Sequence, residues 1–291
     1  SLVSPTNRSP VCRQWCGLLF FFLMIRRPPR STLFPYTTLF RIFQAARGHR
    51  YSTDDLLVAW WGVGSAPRVD RLLDLGSGIG SVAMAAAWKL PGARVVTVEA
   101  QEISIALARK SVRYNGLDSR FRLVEGDFRD PALLESEPPF DLVLGAPPYF
   151  ERGTATEARH PQAVPARITL RGGIGAYAEA ARRTLAPGGR LAFVWPVARD
   201  AEARAALRRE DLLLLARRDV VFREGEPPLV ALYAAARAGD LPASLATAAG
   251  FPRAEPPLVV RRADGRHTPE YASVRLSMGF PPGDLAPRPV A

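Results

Sequence analysis

The run Asp74-Leu75-Gly76-Ser77-Gly78-Ile79-Gly80 sets three glycines at alternate positions behind a carboxylate. Glycine lets a backbone turn tightly and approach a ligand, and a helix that starts just after such a turn offers free N–H groups and a positive dipole end. That chemistry suits a polar ligand held at a strand end, although the same turn also serves simply to pack a helix on a strand. A second acid, Glu99, closes the next apolar run and is able to accept hydrogen bonds from both hydroxyls of a ribose. The spacing is G-x-G-x-G, whereas a dinucleotide turn wants G-x-G-x-x-G. Further along, EGDFRD carries Asp127 and Phe128, and LGAPPYF carries Ala146, Pro147, Pro148 and Tyr149, each just after another apolar run.

These residues need a scaffold that brings strand ends together, and the periodicity supplies one. Arg71 to Leu75, Arg94 to Glu99, Phe121 to Glu125, Phe140 to Leu144 and Arg190 to Trp195 read as strands. Between them lie an Ala-rich helix through Lys89, a helix over Glu102 to Asn115 ended by Gly116, and a helix containing Ala178 to Leu185 before a Pro-Gly-Gly turn. Strands alternating with helices predict an α/β fold, a mostly parallel sheet with helices on both faces. Later come Leu212 to Arg223 and the apolar run Leu229 to Ala236. A tail follows in which Pro257 to Arg262 reads as a strand, Ala263-Asp264-Gly265 as a turn, and Thr268-Pro269 as a helix start.

Composition narrows the function classes once the N-terminus is set aside. Met24 to Arg41, MIRRPPRSTLFPYTTLFR, resembles codon for codon the translation of a widely used sequencing-library adapter. Residues 1–41 are therefore expected to be an artefact with no fold of their own, and 42–291 a single domain. The apolar run Gly17 to Ile25 falls in the discarded part and is too short to span a bilayer. The net charge of +11 comes from 39 basic and 28 acidic residues; six arginines lie in Ser1 to Arg41, and without them it falls to +5. Both cysteines, Cys12 and Cys16, go with that segment, so they do not define a metal or disulfide framework. His49, His160 and His267 lack ligand spacing. A cytoplasmic protein with no metal and no membrane association is expected.

The glycine turn with an acid two residues ahead of it resembles the S-adenosyl-L-methionine site of class I methyltransferases, which have a Rossmann-like fold. That resemblance implies cofactor binding by Asp74, Gly76, Ser77, Gly78, Gly80 and Glu99, with Asp127 meeting the adenine amine and Phe128 beside the ring. Gln44 to Asp54, QAARGHRYSTD, resembles the entry segment of the tRNA1(Val) adenine-N6 methyltransferase family, and Ala166-Arg167 and PLVVRRADGRHTPEY look like later parts of it. The implied substrate is an adenine in tRNA, with Ala146, Pro147, Pro148 and Tyr149 at the catalytic position. In amino-methyltransferases the motif is Asn-Pro-Pro-Tyr. The first side chain and a proline carbonyl hold the hydrogens of a weakly nucleophilic amine while the Tyr ring stacks on the base. Here Ala146 stands where Asn is usual, and a methyl accepts no hydrogen bond; Ser52, Asp54 or Thr154 are the candidates for a replacement acceptor. Two other readings stay open. One is a methyltransferase on another amine or amide, such as a release-factor glutamine, although Ile42 to Asp70 leaves no room for the helical substrate domain of those enzymes. The other is a non-catalytic relative that binds cofactor or RNA. Arg152, Arg159, Arg167 and Arg171 fit phosphate contacts or an ordinary solvated face.

Overall fold

The computed structural model describes residues 31–33, 40–45, 50–147, 173–242, 244 and 251–284. Two short strands, β1 (Ser31–Leu33) and β2 (Phe43–Ala45), pair antiparallel. The first helix, α1 (Thr53–Ser65), begins at a capping box: the Ser52 hydroxyl accepts the Asp55 amide at 3.3 Å and the Asp55 carboxylate accepts the Ser52 amide at 3.1 Å.

The central sheet then forms from β3 (Arg71–Leu75), β4 (Arg94–Glu99), β5 (Phe121–Glu125), β6 (Phe140–Gly145), β7 (Leu185–Pro196), β8 (Leu212–Arg223), β9 (Val230–Arg237) and β10 (Arg253–Arg261). Between them run α2 (Ser81–Lys89), α3 (Glu102–Tyr114), α4 (Gly173–Thr184) and α5 (Asp200–Arg209), and α6 (Pro269–Ser277) closes the described chain. Strand order is β10-β8-β9-β7-β6-β3-β4-β5. All pairings are parallel except those of β9 with β7 and β8.

Two apolar layers sandwich this sheet. One joins α1, α2 and α6 to it through residues such as Leu56, Ile79, Met84, Leu142 and Tyr271. The other joins α4 and α5 through Tyr177, Ala181, Phe193, Ala206 and Tyr233. At Gly62 the helix α1 comes so close to β6 that a Cβ would collide with the Leu144 side chain. The parallel α/β sheet with helices on both faces is as the sequence pattern predicts. The order in which successive strands are added reverses between β3 and β6, and ligands in such folds bind outside the strand carboxyl ends at that switch point.

The tail is part of the sheet. β10 starts at Arg253, ahead of the Pro257 read from sequence, because an edge strand tolerates Pro256 and Pro257 where a central one would not. Arg218 of β8 is buried and ties it down: it donates to the Pro256 carbonyl at 2.8 Å, pairs with Glu270 of α6 and lies over the Trp60 ring of α1. Tyr51, just ahead of α1, stacks on Phe280 with ring centroids 5.6 Å apart. No helix among the described residues is long and apolar enough to cross a membrane.

Candidate cofactor and substrate site

Pairing register sets the site. Leu75 of β3 lies beside Val98 of β4 and Gly145 of β6, and Glu99 lies beside Glu125 of β5. The glycine turn, Glu99, the Asp127 segment and Ala146 therefore leave adjoining strand ends on one edge.

Gly76, Gly78 and Gly80 all have positive φ, 62°, 56° and 81°, a region in which a side chain is strained. Ser77 N donates to Val98 O at 3.0 Å, and Gly80 N to Ser77 O at 2.8 Å, so the turn is fastened to the neighbouring strand and to itself. Gly80 is the N-cap of α2 and has no side chain to cap it. The buried Asp74 carboxylate takes that role, accepting the Ala83 amide at 3.0 Å. Burial holds this carboxyl well above the usual carboxylate range, an upward push that Asp55 and Glu99 reinforce and the Ala83 amide opposes. Ser81, the first residue of α2, donates to Asp55 at 2.8 Å and so joins the entry helix to the turn.

Glu99 is buried and spans the turn: one oxygen accepts Gly78 N at 2.7 Å and the other Gln101 N at 2.7 Å. Asp127 sits at the end of β5, where Arg129 grips its carboxylate through Nε and Nη2 at 2.5–3.1 Å. Phe128 turns inward, buried, with its ring edge-on to Tyr177 at 4.6 Å.

The structure thus brings Asp74, Gly76, Ser77, Gly78, Gly80, Glu99, Asp127 and Phe128 to one edge. Ala146 is half-buried against the α1 layer and Pro147 is buried. Pro148 and Tyr149, Ala166-Arg167, Thr154 and the arginines at 152, 159, 167 and 171 lie outside the described residues. Ser52, a candidate replacement acceptor, has its hydroxyl in the α1 capping box.

Sequence reasoning missed three side chains at this edge. Asp55 links α1 to α2, and Arg129 covers Asp127. Tyr177 of α4 reaches Gly76 and Gly145, so that a Cβ at Gly145 would lie 2.5 Å from its Cδ1. An acidic residue three after the α1 N-cap and an Arg two after an Asp were the available signals; Tyr177 had none.

The fit to a nucleoside cofactor rests on these atoms. The Ser77 hydroxyl is buried in the turn without a hydrogen-bond partner, beside the Glu99 carboxylate and the N-terminal end of α2. Among the described residues no cluster of His, Cys, Asp or Glu has the makings of a metal site.

The doubly wound sheet, with β9 antiparallel between β7 and β8 and a glycine turn and an acid at the switch point, has the class I methyltransferase fold. The chain belongs to the methyltransferase small domain family, whose model matches residues 63–210 and whose members use S-adenosyl-L-methionine. A Porphyromonas gingivalis protein named tRNA1(Val) (adenine(37)-N6)-methyltransferase is 31% identical over 170 residues, 54% of this chain and 62% of that relative. The chain thus spans less than two thirds of that relative's length. A Gloeobacter violaceus release factor glutamine methyltransferase is 39% identical over 80 residues, 28% of this chain and 27% of that one. A solved structure from Agrobacterium tumefaciens, described as a predicted O-methyltransferase, shares the fold. Its TM-score is 0.55 at 22% identity, covering 78% of this chain and 97% of that one.

Proposed function

We propose that this chain is an S-adenosyl-L-methionine-dependent methyltransferase that acts in the cytoplasm on the N6 amine of an adenine in tRNA. The observation that carries the reading is the adjacency of the Glu99-braced glycine turn and the Ala146-Pro147 strand end at the β3–β6 switch point. The relatives named tRNA1(Val) (adenine(37)-N6)-methyltransferase support the substrate.

Each residue has a role in this reading. Gly76, Ser77, Gly78 and Gly80 shape the cradle, Glu99 accepts the ribose hydroxyls, and Asp127 meets the adenine amine. Asp74 works from behind, fixing the first turn of α2. The bound cofactor supplies an electrophilic methyl on a sulfonium. The chain's task is to present the amine lone pair to it: the Pro147 carbonyl accepts one amine hydrogen, and the Tyr149 ring stacks on the base. Ala146 contributes no acceptor, a loss of about 1 to 3 kcal/mol in transition-state positioning if nothing replaces it. That slows transfer without abolishing it.

Ala146 also favours a second reading, a relative that holds cofactor or RNA without turnover. The stretch similar to a release factor methyltransferase keeps a third in play, transfer to another amine or amide. Incubating the protein with methyl-labelled cofactor and total RNA, then digesting to nucleosides, separates them. Label in N6-methyladenosine is the expected result. Cofactor binding with no labelled nucleoside would sink the adenine assignment, and label on protein alone would move the substrate to a polypeptide.

A further inference from the structure

The phenol of Tyr177 stands in a slot that two glycines create. Leaving α4, it passes Gly145 at the end of β6, where a Cβ would lie 2.5 Å from Cδ1 and 2.7 Å from Cε1. Its hydroxyl comes to rest over Gly76, which likewise has no room for a Cβ. Phe128 closes the other side of the ring at 4.6 Å. The side chain thus crosses the switch point and ends at the first glycine of the cofactor turn, among groups that all face the same edge.

Burial pushes the hydroxyl far above its ordinary pKa, and Glu99, then Asp74, then Asp127 push in the same direction. It is therefore a neutral O–H, a donor as well as an acceptor, and the strongest ionic influence on it is the acid assigned to the ribose.

We propose that Tyr177 is a cofactor-binding residue whose hydroxyl hydrogen-bonds the ribose of the nucleoside while its ring forms the wall of that pocket. The inference rests on the cofactor reading above. It adds a contact from the opposite layer of the fold, so that the ribose is held between Glu99 of β4 and a phenol carried by α4.

Calorimetric titration with two probes, S-adenosylhomocysteine and 5′-methylthioadenosine, tests it; the second keeps the nucleoside and lacks the amino-acid end. Tyr177→Phe removes only the hydroxyl, and should weaken both probes by about fivefold with little change in Tm. Unchanged affinity for both would make Tyr177 a packing residue and overturn the inference. Tighter binding would do the same, since the side chain would then be an obstruction. A loss confined to S-adenosylhomocysteine would place the hydroxyl at the amino-acid end and refute the ribose contact. If the unsubstituted protein binds neither probe, it is the cofactor reading that fails. A tyrosine Cζ isotope label in the unsubstituted protein reads the contact without substitution: one resonance should shift on adding S-adenosylhomocysteine, and no shift would count against the contact.

Discussion

On one side of the switch point, β3, β4 and β5 bring Gly76, Glu99 and Asp127 together from successive stretches of chain. On the other, β7 to β10 are secured by residues far apart in sequence: Arg218 with Glu270 and Trp60, and Tyr51 with Phe280. At its carboxyl end the first flank is fastened by backbone amides that meet carboxylates, such as Gly78 N on Glu99 and Ala83 N on Asp74. The second is fastened by side chains that bridge the two ends of the described chain. The difference teaches that the candidate cofactor turn is built within successive strands, whereas the flank beyond β7 depends on the tail docking correctly.

The largest expected effect falls on the local flank. Glu99→Ala removes the brace on Gly78 and the acceptors assigned to the ribose, bonds worth about 1.5 to 3 kcal/mol each. Cofactor affinity should fall by about a hundredfold or more in calorimetry, with little change in the tail. Unaltered affinity would remove Glu99 from the site.

Next in size is Arg218→Ala on the distant flank. It withdraws a buried cation from Glu270, Glu255 and the Pro256 carbonyl, at a cost of about 2 kcal/mol, since the acid partners are partly exposed. Tm should drop by about 4 to 8 °C while cofactor affinity stays within about twofold. If affinity collapsed along with Tm, the two flanks would be one cooperative unit and the contrast between them would break.

Ala146→Asn probes the boundary. Restoring an acceptor beside the Pro147 carbonyl should raise methyl transfer to adenine by about tenfold, given about 1.4 kcal/mol per decade of rate. Unchanged or lower transfer would mean that the missing acceptor is supplied elsewhere.

The smallest effect expected is that of removing residues 1–41, which we propose lie outside the domain. Their described attachments are modest: the β1–β2 pairing, the Arg41 backbone on Asn115 at 2.8 Å, and Phe40 against the α1 layer. A chain beginning at Ile42 should melt within about 2 to 4 °C of the full one, as for a change of about 1 kcal/mol. A larger fall would make the segment part of the fold.

The local flank was the more legible in sequence. Three glycines behind Asp74, and Glu99 closing an apolar run, announce the turn because each does its work within a few residues of its own strand. The cap at Thr268-Pro269 is equally local, and the helix starts there. Tyr177 is different: it is one aromatic in an Ala-rich helix, and its place in the site follows from the absence of side chains at Gly76 and Gly145, a coincidence only the sheet order creates. Helix α1 also escaped, since Gly62 and Gly64 interrupt its pattern and the capping box uses Asp55 where Glu or Gln is the usual signal. The start of β10 was hidden by Pro256 and Pro257, which read as breakers until the strand is known to be an edge.

That edge position bears on synthesis. A ribosome delivers β8 well before β10, so for a time β8 presents a long row of unpaired backbone groups with alternating buried side chains, a template for pairing with another chain. Translation halted before Arg253 would leave this surface uncovered. Arrival of the tail replaces it with an edge carrying two prolines, which cannot donate to a neighbouring strand.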